Sequence, residues 1–208
     1  MASQPKRALL VIDVQNEYIT GSLRIEYPDT RLSLTNIARA IDAANAQDIP
    51  VVLIQHVTPE GAPVFGPGST GGALHPTVLA RPYSHLVEKR QASAFTDTDL
   101  AAWLQQHSVD TITVAGYMTH NCDDATIKYA SHLGLNIEFL VDASGSLPYR
   151  NRAGYASAEE IHRVFAIVLQ SNFAAVVSTT EWVDALQSGM PLVRDNVFSS
   201  YQNTRASE

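Results

Sequence analysis

The chain has 208 residues, and its 14 lysine and arginine residues are outnumbered by 21 aspartate and glutamate residues. A net charge of −7 argues against a nucleic-acid partner, which needs a basic surface. No apolar run approaches the roughly 20 residues that cross a bilayer, so no membrane partner is expected. The single cysteine and the lack of a signal-peptide pattern in the first residues favour a cytoplasmic protein. The length suits one domain, to which we assign residues 1–208.

Short apolar runs predict the strands of a parallel sheet. They are nearly continuous in apolar residues, as expected where helices cover both faces of a sheet. The runs are ALLVID (8–13), VVLIQHV (51–57), TITVAG (111–116), IEFLVDA (137–143) and AAVVST (174–179), and LVEK (86–89) adds a short sixth strand.

Helix signals separate these runs. Ser157 and Glu160 form a capping-box pattern ahead of an apolar stripe, and Thr96 with Asp99 forms another. Apolar residues at helical spacing also follow the first strand, at Leu34, Ile37, Ile41 and Ala44. The alternation of strands and helices predicts right-handed crossovers, with helices on both faces of the sheet.

Two segments depart from this alternation. Residues 57–85 are rich in glycine and proline, and so long a connection predicts a loop that lines or covers a site. Residues 189–208 lose apolar periodicity, so we expect a tail or an arm onto a neighbouring subunit.

The single cysteine, Cys122, follows the run at 111–116 at the start of a predicted helix whose N-cap is Thr119. In the first turn of a helix the backbone N–H groups are unpaired and the dipole favours an anion. Such a position lowers the pKa of a thiol and supplies donors for an oxyanion. The sequence therefore leaves two interpretations open, a nucleophile and an inert core residue.

Two charged residues end other predicted strands. Asp13 is the last residue of the first run, and open α/β sheets bind ligands beyond the carboxyl ends of their strands. If the first strand lies beside the strand at 111–116, Asp13 and Cys122 face one crevice, where the carboxylate can act as a base. Lys89 ends the short strand and would be the third charge there. The alternatives are a turn or cap role for Asp13 and a solvated surface position for Lys89.

Three segments together resemble the isochorismatase-like cysteine hydrolases. They are ALLVIDVQNEY (8–18), VEKRQASAFTDTDL (87–100) and VAGYMTHNCDDATIKYASHLGLNIEFLVDA (114–143). The resemblance implies a three-layer α/β/α Rossmann-like fold with a six-stranded, mostly parallel sheet. It also implies an Asp13–Lys89–Cys122 triad, a cis peptide bond between Tyr117 and Met118, and an oxyanion hole formed by the N–H groups of Met118 and Cys122.

The same resemblance implies a cysteine-dependent hydrolase of a small amide or ureide C–N bond, acting through a thioester and without a cofactor. The expected partners are that small molecule and further copies of the chain, as a dimer or tetramer. One alternative is isochorismatase-type cleavage of a vinyl ether, which uses the aspartate and no cysteine. Another is an inactive scaffold. A receiver-like signalling domain fits poorly, because Asp13 and the more distant Glu17 do not form an acidic cluster for magnesium.

Metal binding is not expected, which argues against the nicotinamidase branch. Nicotinamidases carry an Asp-x-His pattern after the second strand, whereas Gln55 precedes His56 here and no aspartate is near. Candidate substrate-binding residues flank the motifs: Gln15, Tyr18, His56, Phe95 and Tyr117. Tyr18 and Phe95 could equally be packing residues, and His56 a structural one.

The motif around the cysteine contains polar residues that we do not assign to catalysis. Asp123 and Asp124 replace the family's usual apolar residue and hydroxyl residue after the cysteine, and their role stays open. We expect His120 to be a neutral hydrogen-bonding group and Asp142 to be structural.

Overall fold

The computed structural model describes residues 4–205. Its strands are β1 (Arg7–Ile12), β2 (Val51–His56), β3 (His85–Lys89), β4 (Thr111–Tyr117), β5 (Asn136–Gly145), β6 (Tyr149–Asn151), β7 (Gly154–Ala156) and β8 (Ala175–Val177). The helices are α1 (Thr30–Ala46), α2 (Pro76–Leu79), α3 (Leu100–Gln106), α4 (Asp124–His132), α5 (Ala158–Asn172), α6 (Thr179–Ser188) and α7 (Val197–Arg205). Within these residues no helix has both the length and the apolar character to cross a bilayer.

Six strands form one sheet in the order β3-β2-β1-β4-β5-β8, and every neighbouring pair is parallel. The predicted fold class is therefore confirmed, with helices on both faces of the sheet. Strands β6 and β7 form a separate antiparallel hairpin.

Each face of the sheet has its own apolar core. Alternate residues of a strand point to opposite faces, and Leu9 and Leu10 accordingly belong to different buried clusters. One cluster includes Ile37 of α1 and Trp182 of α6, whereas the other includes Leu104 of α3 and Leu169 of α5. The predicted apolar stripe of α1 is confirmed, since Ile37, Ile41 and Ala44 are fully buried.

The winding direction of the sheet reverses between β1 and β4. These two strands run side by side, with Ile12 opposite Gly116, so their carboxyl ends meet at the same edge. Gly116 has a φ of 120°, and a Cβ at this position would collide with the carbonyl oxygen of Ile12. Glycine is therefore required where the two strands approach each other. Asp13, directly after β1, has a left-handed backbone with a φ of 49°.

Three helix starts show what capping patterns can and cannot predict. The Ser157–Glu160 capping box is confirmed at α5, and Ser178 with Glu181 forms another at α6. The predicted Thr96–Asp99 box is wrong, because Asp99 is itself the N-cap of α3 and its side chain makes no capping bond. The Thr98 hydroxyl, which accepts from Leu100 N at 3.4 Å, takes that place.

The two irregular segments are more ordered than the sequence indicated. The loop between β2 and β3 contains α2 and is tied to the residues after β1, where Asn16 N donates to Ala73 O at 3.0 Å and His75 N to Val14 O at 2.7 Å. The predicted C-terminal tail contains α7, preceded by a bond from Asp195 N to Gln170 O of α5 at 3.0 Å. A contact between this segment and a neighbouring subunit stays a prediction.

Candidate active site

Asp13, Lys89 and Cys122 meet at the carboxyl edge of the sheet. The Lys89 Nζ atom lies 2.7 Å from Asp13 Oδ2 and 3.2 Å from Cys122 Sγ. Lys89 belongs to the edge strand β3, so its long side chain spans the width of β2 to reach Asp13. All three residues are buried, with exposed fractions of 0% for Asp13, 1% for Lys89 and 4% for Cys122.

The Lys89 side chain remains a cation despite its burial. Burial alone lowers the pKa of an amine, but the interactions of Lys89 with Asp13 and Cys122 outweigh it and raise the pKa of Lys89 above its ordinary value. Its Nζ atom also lies 3.1 Å from the carbonyl oxygen of Gln91 and 3.4 Å from His56 Nδ1. An ammonium group has three protons, so these four neighbours compete for them.

The Cys122 thiol is neutral in this site, contrary to the expected lowering of its pKa. Burial and the nearby carboxylate of Asp13 raise the pKa of Cys122 well above its ordinary value, and Lys89 opposes them only in part. The expectation rested on the helix terminus and the lysine, whereas desolvation dominates in so enclosed a position. A neutral thiol needs a base to become a nucleophile.

Cys122 lies in a π-helical turn, Thr119–Asp123, that leads into α4. The turn is closed by a bond from Asp123 N to Met118 O at 3.1 Å, and the peptide bond between Tyr117 and Met118 is cis. Thr119 is not the N-cap that its sequence position predicts, because the N-cap position belongs to Met118. The Thr119 hydroxyl instead lies 2.7 Å from Ser144 Oγ, in the interior.

Two predicted substrate-binding residues lie beside the triad in different ways. His56 adjoins Lys89, and burial followed by the lysine charge lowers its pKa, which keeps the ring neutral. The buried Gln15 amide donates to His56 O at 2.9 Å and to Gly72 O at 2.7 Å, and accepts from His56 N at 2.9 Å. These bonds give Gln15 a structural role in joining β2 to the loop.

Tyr18 lies against the site, and its ring centroid is 5.1 Å from that of Phe65 and 5.8 Å from that of Tyr117. Its pKa is raised well above the ordinary value by burial and then by the charges of Cys122 and Asp13. The Tyr117 hydroxyl is bonded to Ser33 Oγ at 2.7 Å, and therefore reaches toward α1.

Phe95 belongs to the apolar cluster on the face of the sheet covered by α3 and α5. Its ring stacks on Tyr129 of α4 with a centroid distance of 5.3 Å. It also lines a surface groove with Leu104 and Leu133. Phe95 therefore packs against α4, and a contact between Phe95 and the substrate stays a prediction.

Three aromatic residues that sequence reasoning did not assign to the site surround it. Phe65 contacts His56 edge to face at 5.4 Å, and burial followed by the charge of Cys122 raises the pKa of Tyr149. His120 contacts Tyr149 at 4.9 Å, and its pKa is lowered to about 4 by burial and then by His162. Phe65 and Tyr149 come from irregular or short segments, where no periodicity shows which way a side chain points.

Within residues 4–205, no group of three histidine, cysteine, aspartate or glutamate side chains is arranged to hold a metal ion. The loop histidines have other partners: His75 Nδ1 accepts from Thr77 N at 3.2 Å, and His85 Nε2 lies 3.0 Å from Asp99 Oδ2.

Comparison with known proteins agrees with this fold. Residues 7–181 match the isochorismatase domain, so the chain belongs to the isochorismatase family. A crystal structure of an isochorismatase-family protein from Burkholderia xenovorans LB400 is 60% identical and superposes with a TM-score of 0.97 over 99% of both chains. The uncharacterized family protein YddQ of Bacillus subtilis is 32% identical over 183 residues, 83% of this chain and 96% of that protein. A streptothricin hydrolase of Streptomyces noursei is 33% identical over 141 residues, 66% of this chain and 49% of that enzyme.

Proposed function

We propose that this isochorismatase-family hydrolase cleaves the C–N bond of a small amide or ureide, with Cys122 as the nucleophile. The observation that carries the proposal is the position of the Lys89 ammonium group, in contact with both the Asp13 carboxylate and the Cys122 sulfur. The relationship to a streptothricin hydrolase supports hydrolysis as the reaction class. The vinyl-ether alternative uses the aspartate alone, so the buried contact between Lys89 and the Cys122 sulfur would have no role in that reaction.

In the proposed first step, the sulfur attacks the substrate carbonyl carbon while Asp13 takes the thiol proton. Neither Asp13 oxygen receives a well-directed hydrogen bond from the described residues, so both retain lone pairs for this proton. Asp13 then returns the proton to the nitrogen as the C–N bond breaks, which releases ammonia or an amine and leaves a thioester.

In the second step, water attacks the thioester carbon and gives a proton to Asp13, which passes it to the departing sulfur. We assign the oxyanion of both tetrahedral states to the N–H groups of Met118, the N-cap of the π turn, and Cys122, within that turn. Loss of one such donor costs about 2.7–4 kcal/mol in other hydrolases. Lys89 supplies the positive charge that compensates the buried Asp13 carboxylate, because a buried charge without a partner is costly.

The test is a screen of small amides and ureides for ammonia release. Wild-type protein is compared with Cys122→Ala and Cys122→Ser, together with wild-type protein alkylated at this single cysteine. We expect release by the wild-type protein alone, and an acyl adduct on Cys122 in intact-mass spectra under rapid quench. Full activity of Cys122→Ala would contradict the nucleophile assignment. Turnover of a vinyl ether, but of no amide, would favour the alternative reaction.

Assembly into a dimer or tetramer is also a proposal. Apolar side chains on the outer face of α5 support it, since Val164, Ile167 and Val168 are exposed in the isolated chain. Light scattering measures the assembly mass directly, and a monomer at micromolar concentration would contradict it.

A further inference from the structure

A buried row of hydrogen-bonding groups runs from Asp123, the residue after the cysteine, to α5. Asp123 Oδ2 lies 2.6 Å from Ser144 Oγ, which lies 2.7 Å from Thr119 Oγ1. Thr119 Oγ1 in turn lies 2.8 Å from Nδ1 of His162. We call these four residues the relay. Its outer end, His162, lines a surface groove of about 340 Å³ together with Tyr27 and Ile167.

The number of protons in the relay restricts its ionisation state. Three short contacts connect the four residues, and Thr119 Oγ1 also lies 3.1 Å from the carbonyl oxygen of Gly145, so four contacts need a hydrogen. The two hydroxyl groups supply two hydrogens. At least one more must come from an end of the relay, either as a protonated Asp123 or as a proton on His162 Nδ1.

The surroundings of the two ends favour the proton on the carboxyl group. Burial lowers the pKa of His162 to about 4, so its ring carries a single proton, and a backbone bond with Val141 competes for that proton. With Nδ1 facing Thr119, the nitrogen that remains for this bond is Nε2. Nδ1 is then an acceptor, and the missing hydrogen belongs to Asp123.

The electrostatic surroundings of Asp123 lead to the same assignment. Its side chain is completely buried and its Oδ1 has no hydrogen-bond partner among residues 4–205, which is costly for an anion. Burial raises the pKa of Asp123 to about 7; Ser144 and Lys89 oppose this rise, and the charges of Asp13 and Asp124 add to it. The other titratable groups facing it are Tyr18, Tyr117 and, through the relay, His162.

We propose that Asp123 is a positioning residue that carries a proton in the working protein, so that no second anion competes with Asp13 beside the thiol. On ionisation, the Asp123 proton moves to Ser144, the Ser144 proton to Thr119 and the Thr119 proton to His162 Nδ1. The Nε2 proton then leaves to water or hydroxide in the groove. The effect on the thiol rests on the proposed function, whereas the protonation of Asp123 does not.

This assignment predicts that ionisation of Asp123 with rising pH lowers the reactivity of the Cys122 thiol, and that Asp123→Asn removes this effect. The asparagine amide can donate to Ser144 as the protonated acid does, but it cannot ionise. The probe is iodoacetamide, whose reaction with the single cysteine is followed by intact mass between about pH 5.5 and pH 9. Relative to wild type, Asp123→Asn should react about tenfold faster at the alkaline end, because one nearby negative charge shifts a thiol pKa by about one unit. The ratio of the two alkylation rates, Asp123→Asn to wild type, should approach one at the acidic end.

The matched control is Asp124→Asn, the same chemical change one residue along. Asp124 is paired with Lys128 at 2.8 Å and lies outside the relay. Because the charge of Asp124 raises the pKa of Asp123, this control should retain the pH effect and shift it slightly to lower pH. A ratio for Asp123→Asn that is constant with pH would overturn the proposal.

A spectroscopic measurement on wild-type protein keeps the test valid if Asp123→Asn does not fold. Infrared spectra of protein labelled with ¹³C at the aspartate carboxyl groups should contain the C=O stretch of a protonated acid near pH 6. That band should disappear by about pH 8.5. Its absence near pH 6 would refute the protonation of Asp123. Activity of Cys122→Ala in the amide screen would refute the proposed function without changing this spectrum.

Discussion

The protein contains two buried carboxylates that pair with buried cations at opposite ends of the same sheet. Glu138, near the start of β5, lies 2.8 Å from Arg7 and also accepts from Thr113 at 2.8 Å and from Trp182 at 2.9 Å. Asp13, after the end of β1, lies 2.7 Å from Lys89, yet neither of its oxygens receives a well-directed hydrogen bond from the described residues.

The comparison separates a structural ion pair from a chemical one. A buried carboxylate whose lone pairs are all occupied fixes the packing around it and has no capacity to take up a proton. One that is held by charge alone keeps that capacity. The carboxyl edge of the sheet is also where the winding reverses and a ligand can enter.

The strongest test of this contrast is Asp13→Asn. The amide keeps the shape of the side chain but cannot act as a base, so amide hydrolysis should fall about 10²–10⁴-fold. The rates are measured on folded protein whose integrity is checked by circular dichroism. Retention of more than a tenth of the rate would remove Asp13 from the proposed mechanism.

Glu138→Gln is the matched change at the other pair, and its effect should be on stability. It leaves the Arg7 cation buried without its counter-charge, so the free energy of unfolding should fall by about 3–5 kcal/mol. Urea denaturation measures this fall. The amide-hydrolysis rate of the folded fraction should match wild type, and a loss comparable to that of Asp13→Asn would mean that the two pairs do not differ as described.

Asp123 provides a stability effect that depends on pH. Its folded pKa of about 7 lies above the ordinary value of 3.8, so between these pH values the unfolded chain is ionised while the folded protein is protonated. Folding therefore loses stability as pH rises through this window, and the full cost is present above it. The free energy of unfolding of Asp123→Asn, relative to that of wild type, should therefore increase by about 2–4 kcal/mol as the pH rises from about 4.5 to about 8. If this difference in the free energy of unfolding does not change across that range, the Asp123 carboxyl group of the folded protein is already ionised at its acidic end.

The smallest expected effect is at a surface position away from both pairs. Ser178→Ala removes the side chain that accepts from Glu181 N at the start of α6 and should cost about 1 kcal/mol, with no change in alkylation. Thermal unfolding followed by circular dichroism measures it. A change in the reactivity of Cys122 would mean that α6 influences the site.

The sequence was sufficient for the sheet and for the grouping of Asp13 and Cys122. Both depend on local order, since each follows a short apolar run whose end must lie at the carboxyl edge. The role of Thr119 could not be found this way, because its hydroxyl bonds to Ser144 and His162, which come 25 and 43 residues later.

The predicted lowering of the Cys122 pKa was wrong for a similar reason. A helix start and a nearby lysine are visible in the sequence, but the degree of desolvation depends on how all the surrounding segments pack. The direction of Phe95 also depends on a tertiary contact, with Tyr129 of α4. The properties that depend on burial, rather than on strand position, are therefore the ones that the sequence did not reveal.

The glycine at position 116 restricts how this protein can be re-engineered. Any side chain there would drive β4 away from the Ile12 carbonyl and so separate the aspartate from the sulfur. Mutant libraries that seek new substrates should therefore hold this position constant and vary the loop between β2 and β3. There, Phe65 lies beside His56 and Tyr18 on a segment outside the sheet.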